Sequence, residues 1–136
     1  MSKMVEVSID YYQGAHGLTI RIDTESKEWI ECLRSNIIEL IKGNIKQVEI
    51  SKRGSVEITN LESLTLLSKP DIEVSPNVMV CLKGDNANVV WSQKIEELIT
   101  LVGLLDGLIF NEKPGHQYLT VEGRDEILIV LAYKEK

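Results

Sequence analysis

The sequence predicts an α+β domain: a mainly antiparallel sheet with two helices packed on it. Three observations carry this. Runs of alternating apolar and polar residues open and close the chain. Two longer stretches repeat apolar residues at three- and four-residue spacing. Glycine, proline and asparagine punctuate the joints. The 136 residues suit a single domain and suffice to bury a real core.

The elements follow in order. Val5, Val7 and Ile9 alternate with Glu6, Ser8 and Asp10, as in a half-buried strand. "YYQGAHG" reads as a turn. Leu18, Ile20 and Ile22 then alternate with Thr19, Arg21 and Asp23, which predicts a hairpin with one wet face. A helix comes next, capped by Asp23, Thr24 or Ser26. Ile30, Leu33, Ile37, Leu40 and Ile41 form its inner stripe, and Gly43 with Asn44 ends it.

Val48 and Ile50, followed across "KRG" by Val56 and Ile58, predict a second hairpin. "ESLTLLS" reads as a further strand. "DIEVS", bracketed by Pro70 and Pro76, reads as a loop or a short edge segment. Residues 78–82 form an apolar strand, "KGDNAN" a turn, and "VVW" a short returning strand.

The second helix is expected from Ser92 onward. Ile95, Leu98, Ile99 and Val102 form its inner stripe, and Leu101, Leu104 and Leu108 a second apolar face. That second face implies burial on two sides or a dimer or partner surface. "HQYLTV", a turn at "EGRDE", and "ILIVLAYK" complete the chain. The last run is apolar almost throughout, as in a central strand covered on both faces.

Composition narrows the function. Hydrophobic residues make up 43% and charged residues 26%, an ordinary globular profile. Aromatics are only 5%, so the core must be built from Ile, Leu and Val. The net charge of −6 argues against nucleic acid, which needs clustered Lys and Arg, and suits a basic protein partner. The most apolar run, residues 98–110, is broken by Asp106 and falls short of the ~20 residues that cross a bilayer, so no membrane span is expected. "MSKMVEV" has no apolar signal region, and the expected location is cytoplasmic. Cys32 and Cys81 fall in apolar patterns and are expected as buried free thiols; the sequence alone leaves a disulfide between them open.

Catalytic signals are sparse. His16, His116, Cys32 and Cys81 are isolated and lack zinc-ligand spacing, so neither metal nor cofactor is expected. There is no GxSxG elbow and no phosphate-binding glycine loop. An enzyme would have to rely on His116 with Tyr118 or a carboxylate. Alternation places His116 and Tyr118 on one strand face and Gln117 and Leu119 on the other. Pro114 and Gly115 favour a turn just before them. The segment is expected to lock the loop after the second helix to the sheet, with buried polar rings hydrogen-bonded.

At "PGHQYL", residues 114–119, the sequence resembles a class of small bacterial immunity proteins of polymorphic toxin systems. "IKGNIKQVEIS", "ITNLESLTLLS" and "VVWSQKIEELITLVGLLDGL" extend the likeness in layout. The resemblance implies a protein that binds and neutralises a cognate toxin domain, with no enzyme activity and no cofactor. It implies a fold-specifying role for Gly115, His116, Gln117, Tyr118 and Leu119, and does not identify the contact residues. The candidates for those come from the wet strand face, Glu6, Ser8 and Asp10, and from the turn at Asp85 and Asn86. A small enzyme using His116, or a homo-oligomer built on the leucine-rich end of the second helix, are the alternatives.

Overall fold

The computed structural model describes residues 5–14, 17–70, 77–111, 114–120 and 127–134. In chain order the elements are β1 (Val7–Gly14), β2 (Gly17–Thr24), α1 (Lys27–Ile41), β3 (Gln47–Glu49), a 3-10 turn (Ile50–Lys52), β4 (Val56–Thr59) and β5 (Leu61–Ser68). There follow β6 (Val78–Lys83), β7 (Asn86–Gln93), α2 (Ile95–Asn111), β8 (Gly115–Tyr118) and β9 (Ile127–Tyr133). The class is the expected α+β, and antiparallel pairings outnumber parallel ones. The strands divide between two sheets, ordered β4-β1-β2-β9-β8 and β3-β5-β7-β6. The expected loop "DIEVS", the turn "EGRDE" and His16 lie outside the described residues.

The first hairpin forms as its alternation requires, with Ile9 opposite Ile22 and Tyr11 opposite Ile20. Its strands run further than the glycine-rich stretch suggested, so Tyr11 to Gln13 are strand rather than turn. Ser26 caps α1, accepting the Trp29 N–H at 3.1 Å from an extended backbone conformation. At the other end Gly43 takes φ +78. Its N–H reaches the Leu40 carbonyl at 3.1 Å and the Asn44 N–H reaches Glu39 at 3.0 Å. These are the two bonds of a Schellman stop.

The second hairpin does not form. β3 pairs antiparallel with β5, and β4 pairs parallel with β1. Alternation marks strands but not their partners. Here the buried Ser51 hydroxyl accepts the Leu64 N–H at 2.9 Å, tying the 3-10 turn to β5. Gly54, at φ +70, then redirects the chain to β1. The Trp29 indole N–H closes the same corner by donating to the Arg53 carbonyl at 2.9 Å.

The second helix also departs from expectation. Ser92 belongs to β7, and α2 starts after Lys94, whose N–H donates to Glu97 Oε1 at 2.9 Å. The inward stripe is Leu98, Leu101, Leu105, Leu108 and Ile109, whereas Ile95 and Ile99 are exposed. An ion pair between Arg34 of α1 and Asp106 of α2 accompanies this rotation. It sits at the edge of α2 that meets α1, while burial of the leucines sets the rotation. Cys32 and Cys81 are both exposed free thiols, not buried ones. Cys32 sits off the α1 stripe and Cys81 on the outer side of β6, so apolar neighbours in sequence did not translate into burial.

The inner stripes of both helices join the inner faces of both sheets in one hydrophobic core. β9 lies between β2 and β8 and is buried along all seven residues, as its apolar run predicted. Among the described residues, no helix is long and apolar enough to cross a membrane. Removing the α1 cap provides a direct check. Ser26→Ala is expected to lower unfolding free energy by about 1 kcal/mol, read as a lower urea midpoint at unchanged slope.

Candidate partner-binding face

Strand parity splits every strand of the five-stranded sheet between a core face and an outer face. In β1, Val7 and Ile9 go inward while Ser8, Asp10 and Tyr12 go outward. Register carries this split across the sheet. Ser8 stands opposite Asp23, Asp10 opposite Arg21, and Tyr12 opposite Thr19. β4 places Glu57 beside Ser8 and Thr59 beside Asp10. β9 supplies Leu128, Val130 and Ala132. β8 ends the sheet, with His116 beside Ala132 and Tyr118 beside Val130. The outer face thus has an acidic half on β4, β1 and β2 and an aromatic margin on β8, separated by β9, whose outward residues Leu128, Val130 and Ala132 are buried.

The acidic half is partly neutralised within itself. Arg21 Nε donates to both carboxylate oxygens of Asp23 at 3.0 Å. Asp10, directly across from Arg21, differs: its Oδ1 is buried and has no hydrogen-bond partner. A carboxylate oxygen shut from water without a donor is unfavourable. Beside this pair opens a cleft of about 270 Å³ lined by Val5, Glu6, Val7, Ser8, Asp23, Thr24 and Glu25. Its floor is fixed by the buried Thr24, whose hydroxyl donates to the Glu6 carbonyl at 2.8 Å and accepts the Ser26 N–H at 3.0 Å. Three carboxylates around an open cleft suit a cationic side chain.

The sequence-derived candidates divide between two places. Ser8 and Asp10 lie on this face. Glu6 lines the cleft, and its Oε1 also accepts the Ser55 N–H at 3.3 Å. Asp85 and Asn86 sit instead on the β6–β7 hairpin of the other sheet, where Gly84 at φ +65 opens a two-residue turn. Arg21, Asp23, Glu25 and Glu57 complete the face and were not singled out from sequence. Arg21 and Asp23 occupied wet positions of the same predicted hairpin. Glu57 became a neighbour only through the parallel β1–β4 pairing.

The segment 115–119 forms edge strand β8 and runs into a bend. His116 and Tyr118 share the outer face as alternation predicted, with rings edge to face at 5.7 Å and 89°. Both rings are exposed, so burial of His116 is not what holds the segment. The attachment comes from the next two residues. Leu119 is buried and its N–H donates to the Ile129 carbonyl at 2.7 Å. The buried Thr120 hydroxyl donates to the Ile127 carbonyl at 3.1 Å and accepts the Ile129 N–H at 2.9 Å. Thr120 is the residue that the sequence motif stopped one position short of. Gln117 is half-buried, on the same strand face as Gly115.

Among the described residues, no group of three or more His, Cys, Asp or Glu side chains is arranged to hold a metal ion. The energetics of the motif separate cleanly. His116→Ala is expected to change stability by no more than about 0.5 kcal/mol, as for an exposed position. Thr120→Val, of equal shape but without the hydroxyl, should cost about 1–3 kcal/mol by stranding two buried backbone groups. Urea titration of the two variants decides between a motif held by its rings and one held by Leu119 and Thr120. Comparison with protein-family models, with curated proteins and with solved structures gave no match for this chain.

Proposed function

We propose that the chain is an immunity protein that neutralises a cognate toxin domain by binding it, without performing chemistry. The observation that carries this reading is the acidic half-sheet with its carboxylate-lined cleft, bounded on the same face by the strand that bears "GHQY". An acidic sheet surface beside an open cleft is the form of a protein-docking surface rather than of an enclosed reaction site. The exposed position of His116 on an edge strand offers a general base no sheltered pocket, so the enzyme alternative gains nothing from the geometry.

The chemistry of the face points to a basic contact patch on the toxin. Toxin domains that act on nucleic acid carry such patches, because phosphate binding requires them. Glu6, Asp23 and Glu25 would receive an Arg or Lys in the cleft. The protein acts in this account as an acidic plug, and its charge of −6 speeds encounter by steering.

Two measurements follow. Cells expressing the toxin domain encoded beside this chain should survive when the chain is co-expressed; unprotected cells would refute the assignment. In purified components, Glu25→Lys combined with Glu57→Lys should slow association about tenfold or more, with less effect on dissociation. Raising salt should slow the unaltered pair in the same way. Association that ignores both the substitutions and salt would move the contact away from this face.

A further inference from the structure

Among the described residues, β6 ends the four-stranded sheet as an uncovered edge. Among the described residues, β7 is the one strand neighbour of β6. The two-residue turn at Gly84 and Asp85 makes Lys83–Asn86 the closing hydrogen-bonded pair. Alternation then commits the N–H and C=O groups of Lys83, Cys81 and Met79 to β7. The bond from the Ser92 N–H to the Asn77 carbonyl at 2.6 Å continues the same register. The backbone groups of Val78, Val80 and Leu82 therefore point outward from the sheet, where only another extended strand can match their spacing.

β6 also lacks the devices that keep edges apart. It is six residues long, its register with β7 is unbroken, and it holds no Pro, no Gly and no carboxylate. Lys83 is its single charge, at one end. Met79 is 58% and Leu82 67% exposed, and Cys81 is exposed between them.

We propose that β6 pairs antiparallel with β6 of a second copy of this chain, joining two four-stranded sheets into one. A two-fold axis perpendicular to the sheet keeps outer side chains on the outer face, so only residues of like parity can meet. Centred on Cys81, the pairing sets Val80 against the partner's Leu82 and Met79 against the partner's Lys83. Cys81 then faces its own counterpart at a non-hydrogen-bonded position, where side chains approach most closely. This register puts the smallest side chain of the strand at that narrow centre.

The strand's own register fits a second copy, and at the axis it meets no like-charge repulsion. Two chains of net charge −6 repel wherever carboxylates face each other. The acidic half of the other sheet would do so in any self-contact. β6 brings no carboxylate to the axis, and its lysine meets a methionine. Dimerisation through β6 also leaves the acidic face free for a basic partner.

The test uses this chain alone, so its outcome is independent of whether any toxin is neutralised. Sedimentation velocity over a rising concentration series should show mass moving from one chain toward two. With Cys32→Ser as background, diamide, which takes up the two thiol hydrogens, should link chains through Cys81. With Cys81→Ser it should link them at least tenfold more slowly through Cys32. Leu82→Lys should return the protein to monomer at unchanged circular dichroism and melting temperature. Val80→Pro should also give a monomer, read as mass alone because Val80 packs on the core, by deleting one outward N–H that the fold does not use. A monomer at every concentration would overturn the proposal. So would a dimer indifferent to Leu82→Lys, or equal crosslinking at the two cysteines.

Discussion

The placement of β9 between β2 and β8 is the constraint on which the rest depends. All seven of its residues are buried, so both faces of this strand are covered. Its inner residues Ile127, Ile129, Leu131 and Tyr133 join the core shared with both helices and the second sheet. Its hydrogen bonds hold β8 as the sheet's edge and align the strand in parallel with β2. Full burial of a seven-residue apolar strand removes it from water at roughly 25 cal/mol per Å² of apolar surface, a large share of what a domain of this size can gain. A parallel neighbour cannot be reached by a tight turn, and here both helices and the whole second sheet lie in the chain between β2 and β9.

From that closure the outer face follows by parity alone. Once Ile20 and Ile22 are committed to the core, Arg21 and Asp23 must face out, and β1 and β4 must present Ser8, Asp10 and Glu57 beside them. Register sets Asp10 across from Arg21 and puts Glu57 and Asp23 on either side of Ser8. The Oδ1 of Asp10 is shielded there without a hydrogen-bond partner. A folded protein that keeps an unsatisfied acceptor beside an acidic cleft retains a local conflict, and such conflicts gather at functional sites.

Much of this was legible in the sequence, and the failures have physical reasons. The first hairpin, the α1 stripe with its Ser26 cap and glycine stop, and the buried β9 all follow from local periodicity and termini. The pairings of β3 and β4 were not legible, because "KRG" offers a turn whose outcome is set by Ser51 and Gly54 in three dimensions. The α2 stripe differs from expectation by a rotation, since a Leu-rich helix offers several apolar faces and packing against α1 and the sheets decides among them. Ser8 and Asp10 were found from alternation, whereas Glu57 reached them through a parallel crossover that no short-range pattern records. The burial expected of Cys32 and Cys81 failed because apolar neighbours in sequence point to alternate sides.

The account stands on one claim: that the outer face of the five-stranded sheet is where a basic partner docks. The most direct measurement is an amide chemical-shift map of the isotope-labelled chain on titration with the toxin domain encoded beside it. The account predicts that the largest shifts gather on Ser8, Asp10, Arg21, Asp23 and Glu57 and along the rim at Glu6 and Glu25. A map centred on α2 or on the Asp85 hairpin, with this face silent, would contradict it.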